Sequence, residues 1–478
     1  MEKVSIKRVN EVYVKIECEA STAYELSDHF TFEVPGAKFS PAYRNRQWDG
    51  KIRLYNIMTR QLYAGLVDNV IEFCRSREYD VELPIDYGAD EFSVIEAKNF
   101  IHGLNLKLEP RDYQIEAFVH AIRSRRSLLL SPTASGKSYI IYLITRYINK
   151  KTLIIVPTTT LVHQMASDFT EYGYGEEVYK IVGGVSKDVD QSVTVSTWQS
   201  IYKMPKQWFK QFDVVIGYEA HLFKAKSLIS IMENLPDCKF WFGFTGTLDG
   251  SATNKLVLEG LFGQVRKVIS TSELIEQKHL SQFKIKCIVL KYSEETCKQL
   301  KGSTYQDEMD FLVRNKTRNR FIKNLTLSLE GNTLLLFQYV DKHGRELYDS
   351  IKDNGIPTYF IHGGVEGQER DQVRKIVEGK DKAIIIASYG TFSTGINIKR
   401  LHNIVFASPS KSKIRNLQSI GRALRKSEMK EHATLFDISD DLSYKSKRNH
   451  TIGHFIERCK IYDEERFSYT IYTTKLKL

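Results

Sequence analysis

The feature that most limits the fold is a rhythm that occurs twice. From 108 to 265, apolar β-rich runs (SLLLSP, TLIIVP, SVTVST, FDVVIG, FWFGFTG) alternate with amphipathic stretches of helical length. From 332 to 445 the alternation returns in NTLLLFQY, PTYFIHG, KAIIIASYG, HNIVFASP and HATLFDIS. Strand, turn and helix in repetition is the pattern of a parallel sheet covered on both faces. The fold class expected is α/β, with two parallel-sheet lobes in tandem. Residues 1–100 instead mix short alternating stretches (VYVKIE, FTFEV, KIRLYN) with a few helical ones, which reads as a small α+β N-terminal domain. The division expected is 1–100 accessory domain, 101–275 first lobe, 276–450 second lobe, and 451–478 a C-terminal helix and tail. Residues 266–331 are more polar and lack the rhythm, so the hinge is expected there.

Composition fits this division. A chain of 478 residues is too long for one ordinary core. Hydrophobic residues at 42% and charged residues at 27% argue against wholesale disorder. No apolar run is long enough to span a bilayer, and the start has no basic-then-apolar leader, so a cytoplasmic protein is expected. The six cysteines show neither CxxC pairs nor zinc spacing, and reduced thiols are expected. The net charge of +11 favours a polyanionic partner.

The strongest chemical signal is SLLLSPTASGKSYIIYLITRYI. An apolar strand ends at Leu130, a loop carries Thr133, Ala134, Ser135, Gly136, Lys137 and Ser138, and a helix opens near Gly136. Backbone N–H groups of such a loop, together with the helix N-terminus, form an anion site. Lys137 can reach outer phosphates and the Ser138 hydroxyl can ligate Mg²⁺. The loop departs from GxxxxGK[ST], because Ser131 holds the first glycine position.

PTASGKS resembles motif I of the superfamily 2 helicases, and further motifs follow in order over roughly residues 108–426. Arg111, Tyr113 and Gln114 resemble the adenine-reading element. Pro157, Thr158, Leu161 and Gln164 resemble motif Ia, and Thr197 with Gln199 a later strand-contact motif. Gly217-Tyr218-Glu219-Ala220-His221 sits where a DEAH box belongs. Thr245, Gly246 and Thr247 resemble motif III, Thr394, Gly395 and Asn397 motif V, and Gln418, Gly421, Arg422 and Arg425 motif VI. The N-terminal FSPAYRNRQWDGKIRLYN extends the likeness to phage recombination and repair helicases of the UvsW type.

The resemblance implies RecA-like lobes binding ATP between them and an ATP-dependent DNA helicase or translocase. Its expected work is remodelling forks, Holliday junctions and R-loops in recombination, repair and replication. It implies a monomer in the cytoplasm, that of the host if the chain is phage-encoded. Lys137 and Mg²⁺ would neutralise the phosphates, and Glu219 would orient or deprotonate the attacking water. Arg422 and Arg425 would act as arginine fingers, with Gly395 and Asn397 also at the nucleotide. His221, Thr245, Thr247 and Gln418 would couple that site to movement. An RNA helicase, a nucleic-acid clamp that binds ATP without hydrolysing it, and a restriction-enzyme motor stay open as alternatives.

One departure matters most. The family pattern has Asp where this chain has Tyr218. A phenol keeps its proton at neutral pH, ligates Mg²⁺ poorly and is bulkier than a carboxylate. A site compromised in hydrolysis is therefore expected. For DNA contact the candidates are Thr158, Thr197, His362, Gly363 and Thr394, with Arg44, Arg46, Trp48, Lys51 and Arg53 in the N-terminal module. That run mixes cations with an aromatic, as phosphate contact plus base stacking requires. A basic strand face with a packed Trp48 is the alternative.

Overall fold

Every one of those apolar runs forms a parallel strand. The computed structural model describes residues 2–476 except 35, 85–86, 249–250, 392–397, 399, 409–411, 413–419 and 422–431. The chain divides into two units, Met1–Ser131 with Gly136–Val268, and Pro132–Ser135 with Ile269–Leu478.

The first unit holds a seven-stranded sheet. Its order is Val265–Lys267, Arg126–Leu130, Phe240–Thr245, Val214–Tyr218, Thr152–Val156, Val193–Thr197, Tyr179–Ile181. Helices on both faces bury the central strands, so those strands read as continuous apolar runs. The two edge strands are three residues each and carry no such run. Register sets the ends level: Leu130 pairs with Thr245, and Phe244 pairs with Tyr218. Three adjacent strands therefore deliver their following loops to one edge, where ligands of parallel sheets bind.

The N-terminal module is a four-stranded sheet in the order Gln61–Tyr63, Tyr13–Glu17, Lys3–Arg8, Asp80–Glu82. Helices Ala20–His29 and Val67–Ser76 bury Leu26, Val70 and Phe73 against it. The module is keyed into the first lobe. The Tyr13 and Tyr63 rings stack at 5.1 Å, and both hydroxyls donate to Glu233 Oε1 at 2.7 Å. Arg126 donates to the carbonyls of Glu11 and Leu261 and lies 4.4 Å from the Trp241 ring centroid. Burial lowers its pKa to about 10. Gly65 has no room for a side chain, because a Cβ would run into the Glu259 carbonyl.

The second unit holds another seven-stranded parallel sheet. Its order is Thr358–Ile361, Ile384–Ser388, Thr333–Phe337, Asn403–Phe406, His432–Asp441, Gln282–Lys291, Tyr469–Lys475. Strand Gln282–Lys291 lies in the stretch whose sequence lacks the rhythm; its first six residues alternate exposed and buried, unlike the all-buried runs. The C-terminal stretch forms helix His450–Glu464 and then an edge strand pairing in parallel with Gln282–Lys291. Among the described residues no helix is long and apolar enough to cross a membrane.

Candidate nucleotide and nucleic-acid sites

The phosphate loop is built by backbone geometry. Gly136 caps helix Lys137–Ile148 with φ +81°, a left-handed conformation that suits glycine. A Cβ there would also collide with the Gln114 amide. Ala134 holds φ +67° although it is not glycine. Ser135 turns the loop, its N–H and hydroxyl both donating to the Pro132 carbonyl. Lys137 is buried, with Nζ donating to the Ser131 carbonyl at 3.2 Å. The adenine-reading candidates stand beside it. Gln114 Oε1 accepts from the Arg111 N–H at 2.9 Å, and Arg111 Nη1 donates to the Tyr113 hydroxyl at 2.9 Å.

The next strands bring the DEAH-box and motif III residues to the same edge. Glu219 follows strand Val214–Tyr218 with φ +56°, and its Oε2 is buried with no hydrogen-bond partner among the described residues. His221 Nδ1 lies 2.9 Å from Thr245 Oγ1 and 3.4 Å from Glu219 Oε2. The Thr245 hydroxyl donates to the Thr247 carbonyl at 3.0 Å, so it must accept from His221. That assignment puts the proton on His221 Nδ1. A chain of contacts thus runs from Glu219 through His221 to Thr245 and Thr247.

Tyr218 is half-buried against the apolar core, with the Lys137 ammonium 5.9 Å from its ring centroid. Ser138 Oγ lies 2.9 Å from the Tyr172 hydroxyl, a partner the sequence did not suggest. Burial pushes the Tyr172 phenol up to about 12, so it stays protonated. Ser138 fits a magnesium ion; Tyr218 does not supply the carboxylate that such an ion's water shell needs. Among the described residues no group of three or more His, Cys, Asp or Glu is placed to hold a metal ion.

A separate cleft of about 570 Å³ opens at the carboxyl ends of Thr152–Val156 and Val193–Thr197. It joins Thr158 and Thr197 with Gly183, Gly184, Lys187 and Gln199. Thr158 caps helix Thr159–Glu171, its hydroxyl accepting from the Leu161 N–H, and Thr197 pairs with Ser200 at 2.9 Å. The Gly183-Gly184 pair and Lys187 were not picked out from sequence, although Gly-Gly after a short apolar strand is a turn signal.

In the second unit, His362 follows strand Thr358–Ile361, and its Nδ1 accepts from the Gly364 N–H at 3.2 Å. Gly363 is exposed. Thr394, Gly395, Asn397, Gln418, Arg422 and Arg425 lie outside the described residues. In the N-terminal module Arg44 and Arg46 are exposed. Trp48 is half-buried, with its indole N–H donating to the Lys51 carbonyl at 2.8 Å. Arg53 pairs with Asp49.

Across 97% of this chain and 98% of its own length, the ATP-dependent DNA helicase uvsW of Enterobacteria phage T4 is 38% identical. The chain belongs to the UvsW-type helicases of superfamily 2. Three family models fit that membership in sequence order. The N-terminal model of DNA helicase UvsW matches 3–84, the res subunit of type III restriction enzymes matches 107–250, and the helicase conserved C-terminal domain matches 316–427. The crystal structure of T4 UvsW aligns over 99% of this chain and 100% of its own, at 35% identity and TM-score 0.52. A more distant relative, the DNA 3'-5' translocase XPB2 of Sulfurisphaera tokodaii, is 23% identical over 70% of this chain and 82% of its own length. The type ISP restriction-modification enzyme LlaBIII bound to DNA aligns at TM-score 0.58 and 15% identity over 77% of this chain and 32% of its own, a likeness of fold. Membership makes this UvsW-type chain a nucleic-acid-dependent ATPase by class.

Proposed function

We propose that this chain is an ATP-dependent DNA helicase that remodels branched DNA, namely forks, Holliday junctions and R-loops, as a monomer in the host cytoplasm. The carrying observation is the convergence of Lys137, Glu219, His221 and Thr245 at one sheet edge in a chain collinear with the T4 helicase. The relatives named for DNA support DNA over RNA as the track.

In this reading ATP lies along the Thr133–Ser138 loop, with Lys137 on the outer phosphates and Gln114 with Arg111 at the base. Glu219 Oε2 accepts a hydrogen bond from the attacking water, which its unpartnered state supports. His221, held by Thr245, lies 3.4 Å from the Glu219 carboxylate and passes its change of state to Thr247. Magnesium, when bound with ATP, supplies neutralising charge on the phosphates; Ser138 would be its protein ligand. Arg422, Arg425, Gly395, Asn397 and Gln418 complete the nucleotide site by resemblance. Thr158, Thr197, His362, Gly363 and Thr394 hold the DNA backbone without reading sequence.

Tyr218 favours a second reading, an ATP-binding clamp with weak hydrolysis. Strand displacement on forked and four-way DNA separates the two. ATP-dependent displacement supports the helicase; tight ATP-dependent binding without displacement supports the clamp.

A further inference from the structure

The segment Val34–Arg53 holds five cations (Lys38, Arg44, Arg46, Lys51, Arg53) and a single acid, Asp49. The structure shows how they are disposed. Strands Thr31–Glu33 and Lys51–Arg53 form an antiparallel ribbon, and the chain between them makes a short turn at Ala37–Phe39 and a helical turn at Pro41–Arg44. Asp49 is spent on Arg53, leaving the rest of the positive charge unmatched. Among the described residues Lys38, Arg44 and Arg46 make no side-chain hydrogen bond or ion pair, and all three are exposed. Trp48 is half-buried, and its indole N–H bond to the Lys51 carbonyl ties it to the ribbon. The rings that face out are Phe39, 67% exposed, and Tyr43, 41% exposed and braced from behind by Gly50.

The Phe39 ring has the Lys38 ammonium 5.4 Å from its centroid and is otherwise exposed. Unmatched cations around it repel other cations and attract a phosphate backbone. A base next to a phosphate offers a π-face for Phe39 to stack on and negative charge for Arg44 and Arg46. We infer that Phe39, with Tyr43 exposed on the same segment, stacks on unpaired bases of branched DNA while Lys38, Arg44 and Arg46 hold the flanking phosphates. The inference rests on the DNA reading above and adds to it the residues that favour branch points over intact duplex. In an intact duplex the bases are already stacked on each other, so Phe39 has nothing to cover.

The test is equilibrium binding of the full chain, without ATP, to a fork with 2-aminopurine in the unpaired arm beside the junction and to a blunt duplex of equal length. Phe39→Ala weakens fork binding about tenfold and removes the change in 2-aminopurine fluorescence, while duplex binding stays within about twofold. Phe39→Trp restores both. Arg44→Ala and Arg46→Ala weaken fork and duplex alike and each lowers the salt slope by about one. Equal binding by Phe39→Ala and the unchanged chain, or equal loss on fork and duplex, overturns the stacking role and leaves the DNA reading standing. No binding of either DNA by the unchanged chain overturns the DNA reading itself.

Discussion

Tyr218 and Glu219 are neighbours in sequence with opposite fitness for their place. Glu219 is poised: its left-handed backbone aims an unpartnered, buried carboxylate oxygen beside His221. Tyr218 puts a ring near Lys137 where a carboxylate would steady a metal's water shell. Replacing it should therefore improve the enzyme. Tyr218→Asp is expected to raise DNA-stimulated ATP turnover at least about tenfold, the size of one well-placed electrostatic partner; steady-state phosphate release measures it, and equal rates would count against the account. Gly136 is the reverse case, a residue whose absence of side chain is the function. Gly136→Ala meets both the left-handed φ and the Gln114 amide, and should weaken fluorescent-nucleotide binding about tenfold or more while leaving the fold intact. Both residues were legible in sequence because each belongs to a short motif at a strand end. Trp48 was open to two readings, a stacking ring or a packed one, and sequence does not show that its indole N–H is committed to the Lys51 carbonyl.

At the scale of elements, the apolar parallel strands were legible because burial on both faces leaves a continuous apolar run. The edge strand Thr358–Ile361 was legible too, but Val265–Lys267, Tyr179–Ile181 and Tyr469–Lys475 were not, since a strand with one neighbour needs less apolar surface. Tyr469–Lys475 is mostly exposed and reads as a tail, yet its backbone pairs over seven residues with Gln282–Lys291. What seats that end of the chain is invisible in sequence because the partner is 141 to 143 residues away. Glu308, buried on helix Tyr305–Arg314, accepts from Asn449, from the backbone N–H groups of His450 and Thr451, and from the Thr451 hydroxyl. It acts as a cap from a distance for helix His450–Glu464. Glu308→Ala takes this acceptor from the His450 and Thr451 N–H groups, while the Asn449 amide and Thr451 hydroxyl keep the Asp440 carbonyl, at a cost of about 3 kcal/mol. Hydrogen exchange should show that helix opening first, with the central strands of the second sheet still protected.

At the scale of the whole molecule, each unit is cemented by polar groups far apart in sequence. Tyr13, Tyr63 and Glu233 join the N-terminal module to the first lobe. In the second unit Arg318 pairs with Asp440 and Arg458 with Asp437, all four fully buried. Beside the first pair, His343 is buried between Ser408 and Asn319. Desolvation, then the Arg318 charge, lower its pKa to about 3. A free imidazole titrates near 6.5, so the folded state binds this proton less readily than the unfolded one. Its stabilising effect is complete above about pH 6.5 and is lost as pH falls toward 3, by about 1.4 kcal/mol per pH unit. Urea midpoints at pH 7.5 and 5.5 should differ less in His343→Gln than in the unchanged chain. We propose that the strand-end cluster around Lys137 and Glu219 drives ATP hydrolysis in response to DNA. Steady-state ATP turnover with single-stranded, duplex, forked and four-way DNA and with RNA tests it most directly. Measurable turnover is expected, stimulated most by forked and four-way DNA and abolished by Lys137→Ala. Stimulation by RNA alone, or turnover that survives Lys137→Ala, would contradict it.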